Sequence, residues 1–210
     1  MKRFEYILII LAVTGLIMRI CLIPGGAMLM ILSATLLSLF YMWFGFAFFN
    51  KIGFTGIFKR NSYKGGGAHT QLPAIAMGMA LALMLLSILF KLQLWQGSFF
   101  LFLQGIVLGV IVFVIVLILH LRSKAPFSGM YFSRLMVYGI LAIGIYLTPA
   151  SSLVDVFYRH QPEYAELYKQ MLANPGDPAL EGQLRDLRWK MDLQRREEIR
   201  SRSADTRGNE

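Results

Sequence analysis

Proton relays, ion pathways and hydrolytic centres are built from Asp, Glu, His, Cys or an activated Ser, and this sequence is nearly empty of such groupings. Between Tyr6 and Pro149 there is no acidic residue, so Glu5 is the one acid of the first 149 positions. His69, His120 and His160 fall in a loop, at the end of an apolar run and beyond the last such run. No two of them share a helical turn, and no metal site is expected. The single cysteine, Cys21, excludes an intramolecular disulfide and a thiolate metal site. No Ser-His, paired-carboxylate or His-x-x-x-His arrangement exists, so the expectation is a chain that is not an enzyme and carries no cofactor. Lys64-Gly65-Gly66-Gly67 lacks P-loop spacing and reads as a flexible basic loop near anionic lipid. What remains are two cations, Arg19 and Lys91, each closing an apolar run. They read as interfacial anchors, with ion or substrate contacts as the alternative. Gln104 is a full amide in mid-run, and Thr14, Ser33, Thr35, Ser38 and Ser87 complete the polar candidates, which more often bond a backbone carbonyl or a neighbouring helix than line a pore.

The elements that must hold these residues are apolar and long. The chain has 210 residues, 56% of them hydrophobic, with 19 glycines besides, well above an ordinary soluble domain. Five apolar stretches of about 20 residues, the length that crosses a bilayer core, occupy half of it. They run over 5–22, 27–49, 72–90, 98–121 and 132–149. The expected fold is all-α: a multi-pass transmembrane bundle of five spans, made of two tandem helical hairpins and one further helix, with a helical tail. The net charge of +9 does not indicate nucleic acid, because it is spread over the membrane loops, while residues 150–210 are close to neutral. With the amino terminus inside, one side receives Lys2, Arg3, Lys51, Lys59, Arg60, Lys64, Arg122, Lys124 and Arg134, and the other only Arg19 and Lys91. The expected placement is a bacterial inner membrane, amino terminus cytoplasmic and tail periplasmic. Residues 1–18 look like a secretory signal, but no small-x-small pattern follows, so an uncleaved anchor is the reading.

An offset of 72 residues lays Gly15 to Leu36 over Ser87 to Leu108 without a gap. Arg19 falls on Lys91 and Gly25 on Gly97, so a cation, an apolar link and a glycine turn recur together. The duplication predicts a first hairpin over 1–49, a basic inner loop over 50–71, a second hairpin over 72–121, an inner loop over 122–131 and a fifth span over 132–154. Pro24, Gly25 and Gly97 are the hairpin turns, where glycine takes positive φ without steric cost. Gly105 and Gly109 form a GxxxG face, and Ala74, Gly78 and Ala82 a small-residue face, read as packing within the bundle ahead of a homo-oligomer.

The cation, apolar link and Pro-Gly turn, carried here by Arg19, Pro24 and Gly25 and in part by Lys91, Trp95 and Gly97, resemble the amino-terminal hairpin of GldL-like gliding-motility membrane proteins and their Bacteroidetes relatives. The resemblance covers about 22 residues in each copy. It implies part of a proton-driven motor that works with a large periplasm-facing partner. The acidic residue of the family's second helix falls near Leu37 and Gly109 here, and neither holds a proton.

The tail, expected over 155–203, changes to soluble helical composition. Pro162 to Ala173 reads as a short helix and Pro178 to about Ser201 as a longer one, with Asp177 as N-cap. Leu180, Leu184, Leu187 and Met191 follow the spacing of a core seam, suited to a protein partner, a second copy or a hairpin folded on itself and resting on the bilayer. The charge density of Arg195 to Glu210 predicts disorder, with 204–210 as a disordered end. Two functions follow as expectations: a non-enzymatic structural or partner-binding subunit of a membrane complex, or an ion-coupled motor or transport subunit.

Overall fold

Each apolar run becomes a helix because, without water to bond to, the backbone must satisfy its own amides and carbonyls. The structure, a computed structural model, describes the backbone of all residues except 51, 53–55, 57–67, 124–128, 209 and 210, and the side chains of somewhat fewer. Every regular element among the described residues is a helix, with no strand. Helices α1 (Lys2–Ile20), α2 (Gly26–Phe49), α3 (Ala68–Leu92), α4 (Ser98–Ser123) and α5 (Gly129–Leu147) form one compact unit, Met1–Pro149. Helices α6 (Ala150–Phe157), α7 (Pro162–Ala173) and α8 (Pro178–Gly208) form a second, Ala150–Glu210.

In the first unit α3 is central, packed by α2, α4 and α5, while α1 lies on α2. Its small residues explain that place: Ala74, Ala80 and Ala82 are buried, and Gly78 meets Gly45 of α2 backbone to backbone. A methyl on Gly45 would come within 2.7 Å of the Gly78 Cα. Gly105 and Gly109 of α4 face Met84 of α3, where added methyls would lie 3.0 and 2.8 Å from its side chain. This GxxxG face is therefore spent inside the bundle. Ser38 Oγ donates across the α2–α3 contact to the Ala82 carbonyl at 3.1 Å, whereas Ser33 and Ser87 bond back to their own helices.

The two hairpin turns repeat each other position by position. Leu22 and Leu94 both have φ of 59°, and Gly25 and Gly97 have φ of 88° and 85°. Ile23 N–H donates to the Met18 carbonyl and Trp95 N–H to the Phe90 carbonyl, both at 2.8 Å. Leu22 and Leu94 likewise reach Arg19 and Lys91 at 3.1 Å. This paired bonding is the Schellman closure of a helix, built with leucine where glycine is usual.

Two expectations need correction. Three helices, Gly26–Phe49, Gln71–Leu92 and Ser98–Ile118, are long and apolar enough to cross a membrane. The number reaches four only if Phe132–Leu147 and Ala150–Phe157 are joined as one broken span, so five spans are not supported. Lys2, Arg3, Glu5 and Arg19 leave α1 without an uncharged stretch of sufficient length, and the described part of α5 is short. In the tail, α7 has the expected bounds, and α8 continues as helix to Gly208, past the expected end near Ser201. The reason lies in spacing that apolar periodicity does not register. Acids stand four residues before bases at Glu181/Arg185, Asp186/Lys190, Asp192/Arg196 and Glu198/Arg202, the order that supports a helix. Asp177 caps α8, its Oδ1 accepting from Ala179 N–H at 2.9 Å. The tail unit also starts earlier than expected, with α6 from Ala150. Most of the inner loop 50–71, including Lys64 to Gly67, and much of 122–131 lie outside the described residues, as do the side chains of His69 and His120.

Candidate functional site

Glu5 sits in the first turn of α1 and is only 2% exposed. An ionised carboxylate at such a place needs a partner, and α5 supplies it. Arg134 Nη2 donates to Glu5 Oε2 at 2.7 Å and Nε to Oε1 at 2.8 Å, a two-pronged pair that fixes both groups in plane. The Tyr41 hydroxyl of α2 donates to Glu5 Oε1 as well. Its oxygen lies 3.3 Å from the hydroxyl of Tyr138, one turn beyond Arg134 on α5. Since Tyr41 has a single proton and gives it to Glu5, Tyr138 donates to Tyr41. The Arg134 guanidinium also lies over the Phe48 ring, 4.7 Å from its centre, with Phe40 and Phe48 edge-on to Tyr41.

Local structure makes this convergence. Arg134 and Tyr138 are four apart on α5, so they share a face. Tyr41, Gly45 and Phe48 share a face of α2 by the same spacing, and the Gly45–Gly78 contact draws α2 and α3 together beneath them. Both carboxylate oxygens are satisfied, which is what allows a buried ion pair to persist. The site ties α1, α2 and α5 at one end of the bundle through its only acid. As chemistry it offers a clamped ion pair with a short string of hydroxyls, and no group of three metal-binding side chains occurs among the described residues.

The residues singled out from sequence lie elsewhere. Arg19 Nη1 donates to Gln93 Oε1, joining the end of α1 to the turn after α3. Lys91 lies over the ring of Tyr146 on α5, 5.4 Å from its centre, and Tyr146 stacks on Phe102 at 4.4 Å. Arg19 and Lys91 are thus both half-buried at one end of the bundle but meet different elements, the turn after α3 and helix α5. Gln104 is exposed on α4 and does not join them. Pro24, Gly25 and Gly97 occupy the turns; Leu180, Leu184, Leu187 and Met191 are half-buried along α8. Cys21 is exposed.

Sequence reasoning missed Glu5, Tyr41, Arg134 and Tyr138 as a site. One signal was present: an acid that is alone in 149 residues and adjoins an apolar run requires a cation. Which of the cations answered it depended on helix packing. No family model matches the chain, and neither a curated protein nor a solved structure matches it.

Proposed function

We propose that this chain is a non-enzymatic membrane subunit, a bundle locked by the Glu5 cluster whose tail unit recruits a protein partner. The observation that carries the reading is the incomplete closure of the tail. Helix α8 has 31 residues and α7 only 12, about 46 Å against about 18 Å, so most of α8 has no α7 beside it. The seam Leu180, Leu184, Leu187 and Met191 stays half-exposed. Between the two helices an open groove of about 530 Å³ is lined by Glu163, Glu166, Leu167 and Gln170 on one side and Gln183, Asp186, Leu187 and Lys190 on the other. A leucine-floored groove with polar rims suits an amphipathic helix of a partner.

The membrane on this reading is a bacterial inner membrane. The test is purification from native membranes through an amino-terminal tag, comparing the full chain with one ending at Pro149. A protein that co-purifies with the full chain and is lost on truncation supports the reading; identical preparations overturn it.

The Glu5–Tyr41–Tyr138 string favours one second reading, an ion-coupled subunit of the kind the GldL-like hairpin implies. That reading predicts proton flux in proteoliposomes that Tyr41→Phe abolishes. On the subunit reading no flux occurs.

A further inference from the structure

The seam of α8 is one face of the helix, and the opposite face is different in kind. Arg185, Trp189, Leu193, Arg196 and Arg200 are spaced four, four, three and four apart, which keeps them in one stripe on a helix of 3.6 residues per turn. All five are exposed, Trp189 at 62% and Leu193 at 41%. The nearest acids, Asp186 and Asp192, stand at the two edges of the stripe, about 60° to either side of Trp189, and none lies within it. Three arginines flank an indole and a leucine along it. A soluble helix face has no reason to present a tryptophan to water, whereas an interface between water and headgroups suits both indole and guanidinium.

We propose that this face of α8 docks on the surface of an anionic phospholipid bilayer, arginines on lipid phosphates and Trp189 and Leu193 in the headgroup layer. Charge complementarity selects the lipid: an acid-free arginine stripe gains nothing from a neutral surface and about fivefold per residue from an anionic one. Covalent attachment supplies the rest. The tail unit begins at Ala150, directly after a membrane bundle, so the bilayer is present at high effective concentration and a weak surface affinity suffices. Docking uses the face opposite the seam and is independent of partner recruitment through the groove.

The test uses the full chain with Cys21→Ser and Leu193→Cys carrying a nitroxide, in nanodiscs of phosphatidylcholine alone or with phosphatidylglycerol. Collisions with a water-soluble nickel chelate and with oxygen report the depth of the label. The expected result is protection from nickel, with rising oxygen collisions, only in the anionic discs. Replacing Arg185, Arg196 and Arg200 together by Gln, in a variant whose helix content by circular dichroism is unchanged, weakens docking by about a hundredfold or more and removes the protection. Equal nickel access in both lipids overturns the proposal. So does protection that survives the triple substitution, which assigns the face to protein packing. Protection that grows with chain concentration in neutral detergent assigns it to a second copy and overturns it as well.

Discussion

Glu5 carries a charge at a buried position, and the groups that meet it there keep that charge tolerable. Arg134 meets both oxygens and Tyr41 one of them. Breaking such a pair from one side leaves the other charge stranded, at a cost of about 3–5 kcal/mol. Arg134→Gln is expected to cost more than Glu5→Gln, because Glu5 is 2% exposed and has nowhere to go, whereas the Arg134 side chain is 15% exposed. Replacing both, as Glu5→Met with Arg134→Leu, recovers most of the loss, since two matched apolar groups need no solvation. Reversible denaturation of the four proteins in mixed micelles checks this; additive losses in the double variant contradict it. Tyr41→Phe removes one bond to a charged acceptor and is expected to cost about 1.5–3 kcal/mol by the same measurement.

Among the elements, α2 and α3 approach as closely as two helices do, because glycine faces glycine. A methyl on Gly78 would run into the Tyr41 carbonyl, a backbone atom that moves only with its helix. Gly78→Ala is therefore expected to separate α2 from α3 and loosen the Glu5 cluster above. Gly139→Ala on α5 meets nothing within 4 Å and is expected to leave stability unchanged or raise it by up to about 1 kcal/mol. Thermal unfolding in the same detergent distinguishes the two, and equal losses would remove the close-approach argument. The glycine turns were legible in sequence because a reversal between two apolar runs demands positive φ, and Gly25 and Gly97 take it. Leu22 and Leu94 were not legible: nothing in the residue type marks a leucine for the left-handed region, and only its place at the closing turn does. The length of α8 was likewise missed, since its support comes from charge spacing rather than an apolar face.

The molecule as a whole divides at Pro149 into two units held by different forces, the first by close helix packing in an apolar medium and the second by a small tyrosine-rich contact. In the tail, Tyr158, Tyr164 and Tyr168 cluster, with Tyr158 and Tyr164 ring centres 4.6 Å apart. Burial, and then the neighbouring Tyr158, push the Tyr164 hydroxyl up to about 12 from its ordinary 10.0. The folded tail keeps a proton that the unfolded tail releases, so this contribution is complete below pH 10 and is lost as pH rises toward 12. The ultraviolet titration difference between the native chain and Tyr164→Phe is expected to centre near 12; a centre at 10 contradicts the burial. By itself the sequence determined an all-helical chain, the apolar runs that become helices and the repeated turn, because each follows from local composition and period. Only the tertiary structure decided that Glu5 joins Arg134, 129 positions away, and that Gly105 and Gly109 are spent on Met84. It also decided that Gln104 faces outward and that α8 turns leucine to one side, where α7 meets it, and arginine to the other. Partner choice among equivalent cations and small residues is set by which helices pack together, and that is a property of the assembled bundle.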